Sequence, residues 1–286
     1  MKERQLSVHE AIIWGTGVLK EIGIQTSRLD AELLLSHVLK CERAHLIVIN
    51  KEKLTHDDLV IYRRLIEDRR RGIPVAYITG FKEFMGIDFI VNQSVLIPRP
   101  ETEILVEALI QRLKGVKSPK ILDIGTGSGC IGISLAYFIT DSSVYATDIS
   151  SDALAVAKTN ARRLGVEDRV FFYQGDVYDA LPDEYKGYFD VIVSNPPYIP
   201  SVDIKNLSNE VKSEPALALD GGKDGLRFYR KIIAGAFEYL KKGGLLAFEV
   251  GYDQAQKVKS MMMSYSVDII KDLAGIERVV IGRRIS

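Results

Sequence analysis

Cysteine is nearly absent from these 286 residues. There are two, Cys41 and Cys130, too few and too far apart for a disulfide framework or a cysteine-rich zinc site. A reduced, cytoplasmic setting is the expectation, and no metal site is expected. Net charge is absent too, with 38 Lys+Arg against 38 Asp+Glu. That removes any general pull toward nucleic acid but leaves room for a local basic patch. No apolar run approaches the roughly 20 residues of a bilayer span. The opening Met1-Lys-Glu-Arg-Gln-Leu6 lacks the apolar core of a signal peptide. Repeats, low-complexity tracts and any obvious dimerisation stripe are missing, and a monomer is expected. Histidine is confined to His9, His37, His45 and His56. What is present is ordinary for a globular chain: 47% hydrophobic and 27% charged residues. That is enough apolar mass to offset chain entropy, over a length suggesting about two domains.

Residues 1–80 read as a small all-α domain. Ser7-Val-His-Glu10 has capping-box spacing ahead of Ile12, Ile13, Val18 and Leu19, and Gly23 is a plausible stop. Ser27-Arg-Leu-Asp30 reads as a second start of the same type, leading into Ala31, Leu34, Leu35, Val38 and Leu39. Thr55-His-Asp-Asp58 starts a third helix carrying Leu59, Tyr62, Leu65 and Ile66. Trp14 and Tyr62 read as core or groove residues. Arg63, Arg64 and Arg69-Arg-Arg71 form a basic run, by default a solvated helix face. Residues 81–103 read as a β-hairpin and linker. Phe84–Val91 alternates as a strand or hairpin, and Pro100 suits the first turn of a following helix.

From residue 104 to 286 strand and helix alternate. Lys120–Ile124, Ser143–Asp148, Arg169–Tyr173, Phe189–Ser194 and Gly244–Val250 are strands. Val267–Ile270 and Arg278–Ile281 add an antiparallel hairpin at the sheet edge. The fold class is α/β, a mainly parallel seven-stranded sheet with helices on both faces.

Three strand ends carry chemistry. Asp123-Ile-Gly125-Thr126-Gly127-Ser128-Gly129 lets the backbone turn sharply and approach a ligand. Gly127-Ser-Gly-Cys-Ile-Gly132 also satisfies the dinucleotide pattern, with Asp148 about twenty residues on. On this element alone, a dinucleotide and a nucleoside cofactor stay unseparated. Asp148 ends the second strand, where a carboxylate can accept hydrogen bonds from a ribose diol. Helix capping is the competing role, but Ser150 and Ser151 are available for it. Asp176 ends the third strand and could read an adenine edge, or be a turn aspartate. Cys130 reads as core packing.

The sharpest signal is Asn195-Pro196-Pro197-Tyr198 directly after an apolar strand. Two prolines stiffen the loop and remove two donors. The Asn195 oxygen and the backbone carbonyls remain as acceptors, and Tyr198 offers an aromatic face. This suits a planar –NH2 group that is held by its two protons and packed against the ring.

Together the Asp-x-Gly-x-Gly-x-Gly loop, the acid ending the second strand and Asn-Pro-Pro-Tyr resemble class I S-adenosylmethionine-dependent amino-methyltransferases. Arg70–Gly80, Glu83–Gly86, Leu96–Glu103 and Asp220–Tyr229 narrow this. With them the chain resembles the HemK/PrmC family of release factor glutamine N5-methyltransferases over essentially its whole length. The resemblance implies a Rossmann-like methyltransferase domain over 104–286 and helices at 1–80 that help dock the substrate. It implies S-adenosylmethionine as cofactor, near Gly125–Gly129, Asp148, Asp176 and Asn195. Val177 stands where relatives often have an aromatic residue and offers only apolar packing. The implied substrate is the glutamine of the Gly-Gly-Gln loop in class I peptide chain release factors, a modification that supports translation termination. Asn195, Pro196 and Tyr198 are the expected catalytic residues, with Pro197 and Arg99 also at the substrate. Arg99 and Glu101-Thr-Glu103 are expected where the linker meets the site mouth. Alternatives are a ribosomal-protein glutamine methyltransferase, an adenine-N6 DNA methyltransferase, and a dinucleotide oxidoreductase that leaves Asn195–Tyr198 without a role. Neutral charge and the lack of a sizeable target-recognition insertion argue against specific DNA binding.

Overall fold

The computed structural model describes residues 5–285. The chain divides into two compact units. One runs up to Gly80 and includes Asn209–Ser213; the other comprises Phe81–Ser208 and the chain from Glu214 onward. None of the described helices is long and apolar enough to cross a membrane.

The first unit is built on α1 (Val8–Glu21), α2 (Ser27–Leu39), α3 (His45–Val48), α4 (His56–Arg70) and α5 (Val75–Thr79). The Ser7 capping box forms in both directions: Ser7 Oγ accepts from Glu10 N, and Glu10 accepts from Ser7 N. Thr55 caps α4 by accepting from Asp58 N at 3.1 Å. The second start differs from expectation. Thr26 is the cap residue and makes no side-chain cap bond. Asp30 turns inward instead, where its carboxylate meets Arg69 Nε at 2.7 Å. Arg69 is therefore no part of a solvated basic face. It is buried and also reaches Glu210 at 3.2 Å, whereas Arg70 and Arg71 are exposed and pair with Glu67. Leu19, Leu34, Leu35, Tyr62 and Ile66 fill the core, and Trp14 packs edge-on to Tyr62.

The second unit opens with a hairpin, β1 (Phe81–Phe84) and β2 (Ile87–Ile90). Met85 and Gly86 both take positive φ in its two-residue turn, the geometry that matches strand twist. The hairpin does not stand apart as a linker. Asn160 accepts from Ile90 N at 2.8 Å and donates to Ile90 O at 3.0 Å, and Phe84 and Phe89 join the core. Next come α6 (Pro100–Arg112), β3 (Lys120–Ile124), α7 (Cys130–Phe138), β4 (Ser143–Asp148), α8 (Ser151–Arg163), β5 (Val170–Gln174) and β6 (Phe189–Ser194). The short helix α9 (Asn209–Lys212) belongs to the first unit. The chain closes with α10 (Ala216–Leu219), α11 (Arg227–Tyr239), β7 (Leu240–Glu249), α12 (Ala255–Met261), β8 (Tyr265–Lys271) and β9 (Glu277–Arg284). Pro100 sits in the first turn of α6, as expected.

The sheet order is β5-β4-β3-β6-β7-β9-β8. The first five strands run parallel, and β9 pairs antiparallel with both β7 and β8. Period-two alternation splits the apolar side chains between two faces. Ile121, Val144, Val191 and Leu245 pack under α6 and α7, while Leu122, Ile192, Leu246 and Phe248 pack with Tyr229 and Ile232 of α11. This is the expected Rossmann-like layering. The chain leaves β3 toward β4 and β5, then returns to β3's other side with β6. The switch point therefore lies between β3 and β6, where open α/β sheets bind ligands beyond the strand ends.

Candidate active site

The ends of β3 and β6 are stitched together by Ser194 Oγ, which donates to the Ile124 carbonyl at 2.7 Å. A cavity opens beyond them, lined by Gly125, Thr126, Gly127, Ser128, Asp148, Asp176, Val177, Asn195, Pro196, Pro197 and Arg99. Residues of five separate segments expected at the cofactor and substrate thus surround one space, while Gly129, also expected at the cofactor, is not among those lining it. Tyr198 is set differently. Its ring packs against the apolar layer on the α11 side and beside Gly251, where burial lifts its phenol to about 12.

Gly125 and Gly127 take φ of 70° and 57°, and a Cβ on either would enter open space. Only glycine holds this backbone without strain and leaves the space free. Gly129 shares the left-handed backbone, at φ of 83°, and a Cβ there would in addition meet Ile133. Asp123, fully buried under the loop, accepts from Thr126 Oγ1 at 2.6 Å and Gly132 N at 3.0 Å. Burial raises its carboxyl to about 6. So the third glycine of the dinucleotide pattern, Gly132, serves loop anchoring.

Asp148 accepts from Gly127 N and Ser150 N, each at 2.9 Å. Ser150 caps α8 by accepting from Ala153 N, which leaves Asp148 to the cavity. One hydrogen bond falls on each carboxylate oxygen, so further lone pairs remain for a ligand. Burial raises its pKa, a penalty that donor hydroxyls would relieve. Asp176 lines the wall with its carboxylate 2.7 Å from Lys231 Nζ. The neighbouring Val177 is buried with φ of 61°. A β-branched residue there is strained, as at ligand-binding sites.

Asn195 follows β6 and donates through Nδ2 to Thr102 Oγ1 at 3.3 Å. Thr102 in turn donates to Glu249 Oε2 at 2.5 Å. Glu249 ends β7, is buried, and carries a carboxyl raised to about 7, chiefly by burial. The loop is braced from the far side. Gly221 N donates to Ile199 O at 2.8 Å, and Gln254 Nε2 donates to Tyr198 O at 2.9 Å. Arg99 pairs with the buried Glu214 at 2.6 Å. Cys130, the first residue of α7, lines the cavity as well as the core, and burial raises its thiol to about 12.

Residues 10–80 match the PrmC N-terminal domain family, and residues 100–267 match the methyltransferase small domain family. A release factor glutamine methyltransferase of Clostridium acetobutylicum is 42% identical over 98% of this chain and 99% of its own length. One from Moorella thermoacetica is 43% identical over 92% of this chain and 93% of its own. The chain belongs to the release factor glutamine methyltransferase family. A methyltransferase from Pyrococcus furiosus, 21% identical, covers 78% of this chain and 98% of its own with a TM-score of 0.53, which supports the fold.

Four contributors to the site escaped the sequence reading: the hydroxyl of Thr102, Glu249, Gln254 and Lys231. Glu249 offered one signal, an acidic residue inside the apolar run Leu245–Val250. Thr102 lies within Leu96–Glu103, but nothing in that segment points to its partner 147 residues on.

Proposed function

We propose that this chain methylates the side-chain amide nitrogen (N5) of the glutamine in the Gly-Gly-Gln loop of class I peptide chain release factors, using S-adenosylmethionine. The observation that carries the reading is the pairing of Asn195 and Pro196 with the Gly125–Gly127 cradle around one cavity. The residues present fit the cofactor. The glycine cradle leaves room that a Cβ would fill. Asp148 has acceptor capacity for a ribose diol, and Ile149, Val177 and Ile232 give apolar walls for a base. Asp148 on the cavity wall favours a cation nearby, whereas Asp176 is already paired with Lys231.

When bound, S-adenosylmethionine supplies a methyl group already activated by its sulfonium. The chain's own contribution is placement. An amide nitrogen is a poor nucleophile because its lone pair is delocalised. Asn195 Oδ1 and the Pro196 carbonyl accept its two N–H protons and align it, a contribution of up to about 7–11 kcal/mol in well-oriented reactions. Acceptors there also favour positive charge growing on nitrogen. The proton can leave afterwards, so no strong base is needed beforehand. The two prolines keep the acceptors fixed, and Tyr198 packs the loop from the apolar side. The helices of the first unit serve to dock the release factor, and Arg99, tethered by Glu214, helps shape the mouth.

The test is methyl transfer from labelled S-adenosylmethionine to a purified class I release factor. Label is expected on the native factor and not on one whose loop glutamine is alanine. Asn195→Ala should abolish it while cofactor binding persists. Cofactor binding with no label on the native factor would remove the substrate assignment.

A further inference from the structure

Asn195 serves as an acceptor only with its carboxamide turned one way. Amide nitrogen and oxygen are nearly the same size, so packing alone does not choose the orientation. Hydrogen-bond polarity does. Thr102 Oγ1 carries one proton and lies 2.5 Å from Glu249 Oε2. A carboxylate only accepts, so that proton points to Glu249. The lone pairs of Thr102 then face Asn195, and only Nδ2–H, 3.3 Å away, can meet them; the Asn195 side chain also hydrogen-bonds the Glu249 carboxyl directly, which again calls for Nδ2–H on that side. The flipped amide would set oxygen against oxygen. Thr102 and Glu249 are 1% and 3% exposed, so solvent does not substitute for either contact.

We propose that Thr102 and Glu249 are positioning residues: the Glu249 carboxylate orients the Thr102 hydroxyl, which holds Asn195 with Nδ2 inward and Oδ1 toward the substrate amide. This rests on the methyl-transfer reading above. It also gives a reason for a buried carboxylate that forms no ion pair with lysine or arginine among the described residues, an arrangement that costs stability. The hydroxyl inverts its role when the carboxyl takes a proton. Glu249 then donates to Thr102, whose own proton is free to seek Asn195 Oδ1, and the orientation of the amide is lost.

The groups acting on the Glu249 carboxyl come from every element around it. Glu101 and Thr102 lie on α6, Asn195 and Tyr198 on the loop after β6, Cys130 on α7, Tyr229 on α11, and Arg278 on β9. Arg278 is already paired with Asp272 at 3.0 Å. Burial and Glu101 raise the carboxyl; Thr102, Arg278 and Asn195 lower it; the balance lies at about 7.

Two readouts test the relay. In the chain without cofactor, the Asn195 side-chain NH2 signals are followed against pH by nitrogen NMR, assigned by their loss in Asn195→Ala. They should titrate with a midpoint of about 7 and stay flat in Glu249→Gln. In methyl transfer, Thr102→Val should lower kcat about 10- to 100-fold, with KM and cofactor affinity within about twofold. Thr102→Ser should restore kcat. The wild-type acid limb in kcat should vanish in Glu249→Gln, which keeps an acceptor for the hydroxyl. Unchanged kcat in Thr102→Val, equal loss in Thr102→Ser, or an Asn195 titration that survives Glu249→Gln overturns the proposal. A wild-type chain that methylates no release factor defeats the substrate reading alone, and the NMR titration still decides the relay.

Discussion

Gln254 donates from its side-chain amide to the carbonyl of Tyr198 at 2.9 Å. The same side chain accepts from Gly251 N at 3.1 Å and is 4% exposed. A loop stiffened by Pro196 and Pro197 is thereby fixed at its far end by a residue from the turn after β7. Ile199 completes the clamp: its N–H donates to Leu219 O at 3.1 Å and its carbonyl accepts from Gly221 N at 2.8 Å. The motif Asp220-Gly-Gly-Lys-Asp-Gly225 thus supports the acceptor loop.

Gly221→Ala tests that support. A Cβ there would lie 2.8 Å from the Pro197 oxygen and from the Tyr198 carbonyl carbon. Both are backbone atoms of the acceptor loop, so the loop must shift. A small displacement in a positioned site is costly to rate. Methyl transfer should fall by about 100-fold, while cofactor affinity measured by calorimetry changes little. Full activity in this variant would show that the loop tolerates movement.

Much of this arrangement was legible from one dimension. Strand ends with Gly125, Asp148 and Asn195 are local signals, and the alternation of Ile121 with Leu122 fixes which face each side chain takes. The errors share a cause. Asp30 has cap spacing, but a partner 39 residues away outcompetes the local bond. Arg69 sits in a basic run, yet burial is set by tertiary packing. Thr102 and Glu249 are 147 residues apart, and their pairing is not encoded in any spacing. The positive φ of Val177 runs against its local preference and is imposed by the surrounding core.

Asp148→Asn removes the charge from the cofactor wall and gives up one of the two backbone bonds, from Gly127 N or Ser150 N. The amide keeps one acceptor and nearly the same shape but loses the charge that a ribose diol would favour. Loss of charged hydrogen bonds worth about 1.5–3 kcal/mol each predicts about 10- to 100-fold weaker S-adenosylmethionine binding. Stability should fall by about 1–3 kcal/mol for the backbone donor left unpaired, partly offset because burial already disfavours the ionised form. Unchanged affinity by calorimetry would remove Asp148 from the cofactor site.

The Arg69–Asp30 pair gives a stability test within the first unit. Its side chains are 5% and 6% exposed. Asp30→Ala leaves a buried guanidinium facing the half-exposed Glu210 and the Ile73 carbonyl, with its buried carboxylate gone. Breaking one side of such a pair costs about 3–5 kcal/mol. Urea unfolding should show that loss. The double change Asp30→Ala with Arg69→Met should recover much of it, because no unpaired charge remains. Equal destabilisation in the single and double variants would assign the cost to lost packing.

Glu249→Gln should behave in the opposite sense, and with a pH dependence. The carboxyl is raised from 4.5 to about 7, first by burial. Between those values the folded chain binds more protons than the unfolded one. The stability tied to this group is therefore complete below pH 4.5 and lost as pH rises through about 7. Above that, the buried carboxylate costs about 3 kcal/mol, taking the displacement at about 1.4 kcal/mol per decade. Gln carries no such charge. The variant should melt above the wild type at pH 8, with the gap closing as the pH falls to 5. A gap constant with pH would show that Glu249 does not titrate in this range. The buried acid is then a stability cost retained at the active site, as expected where function and stability oppose each other.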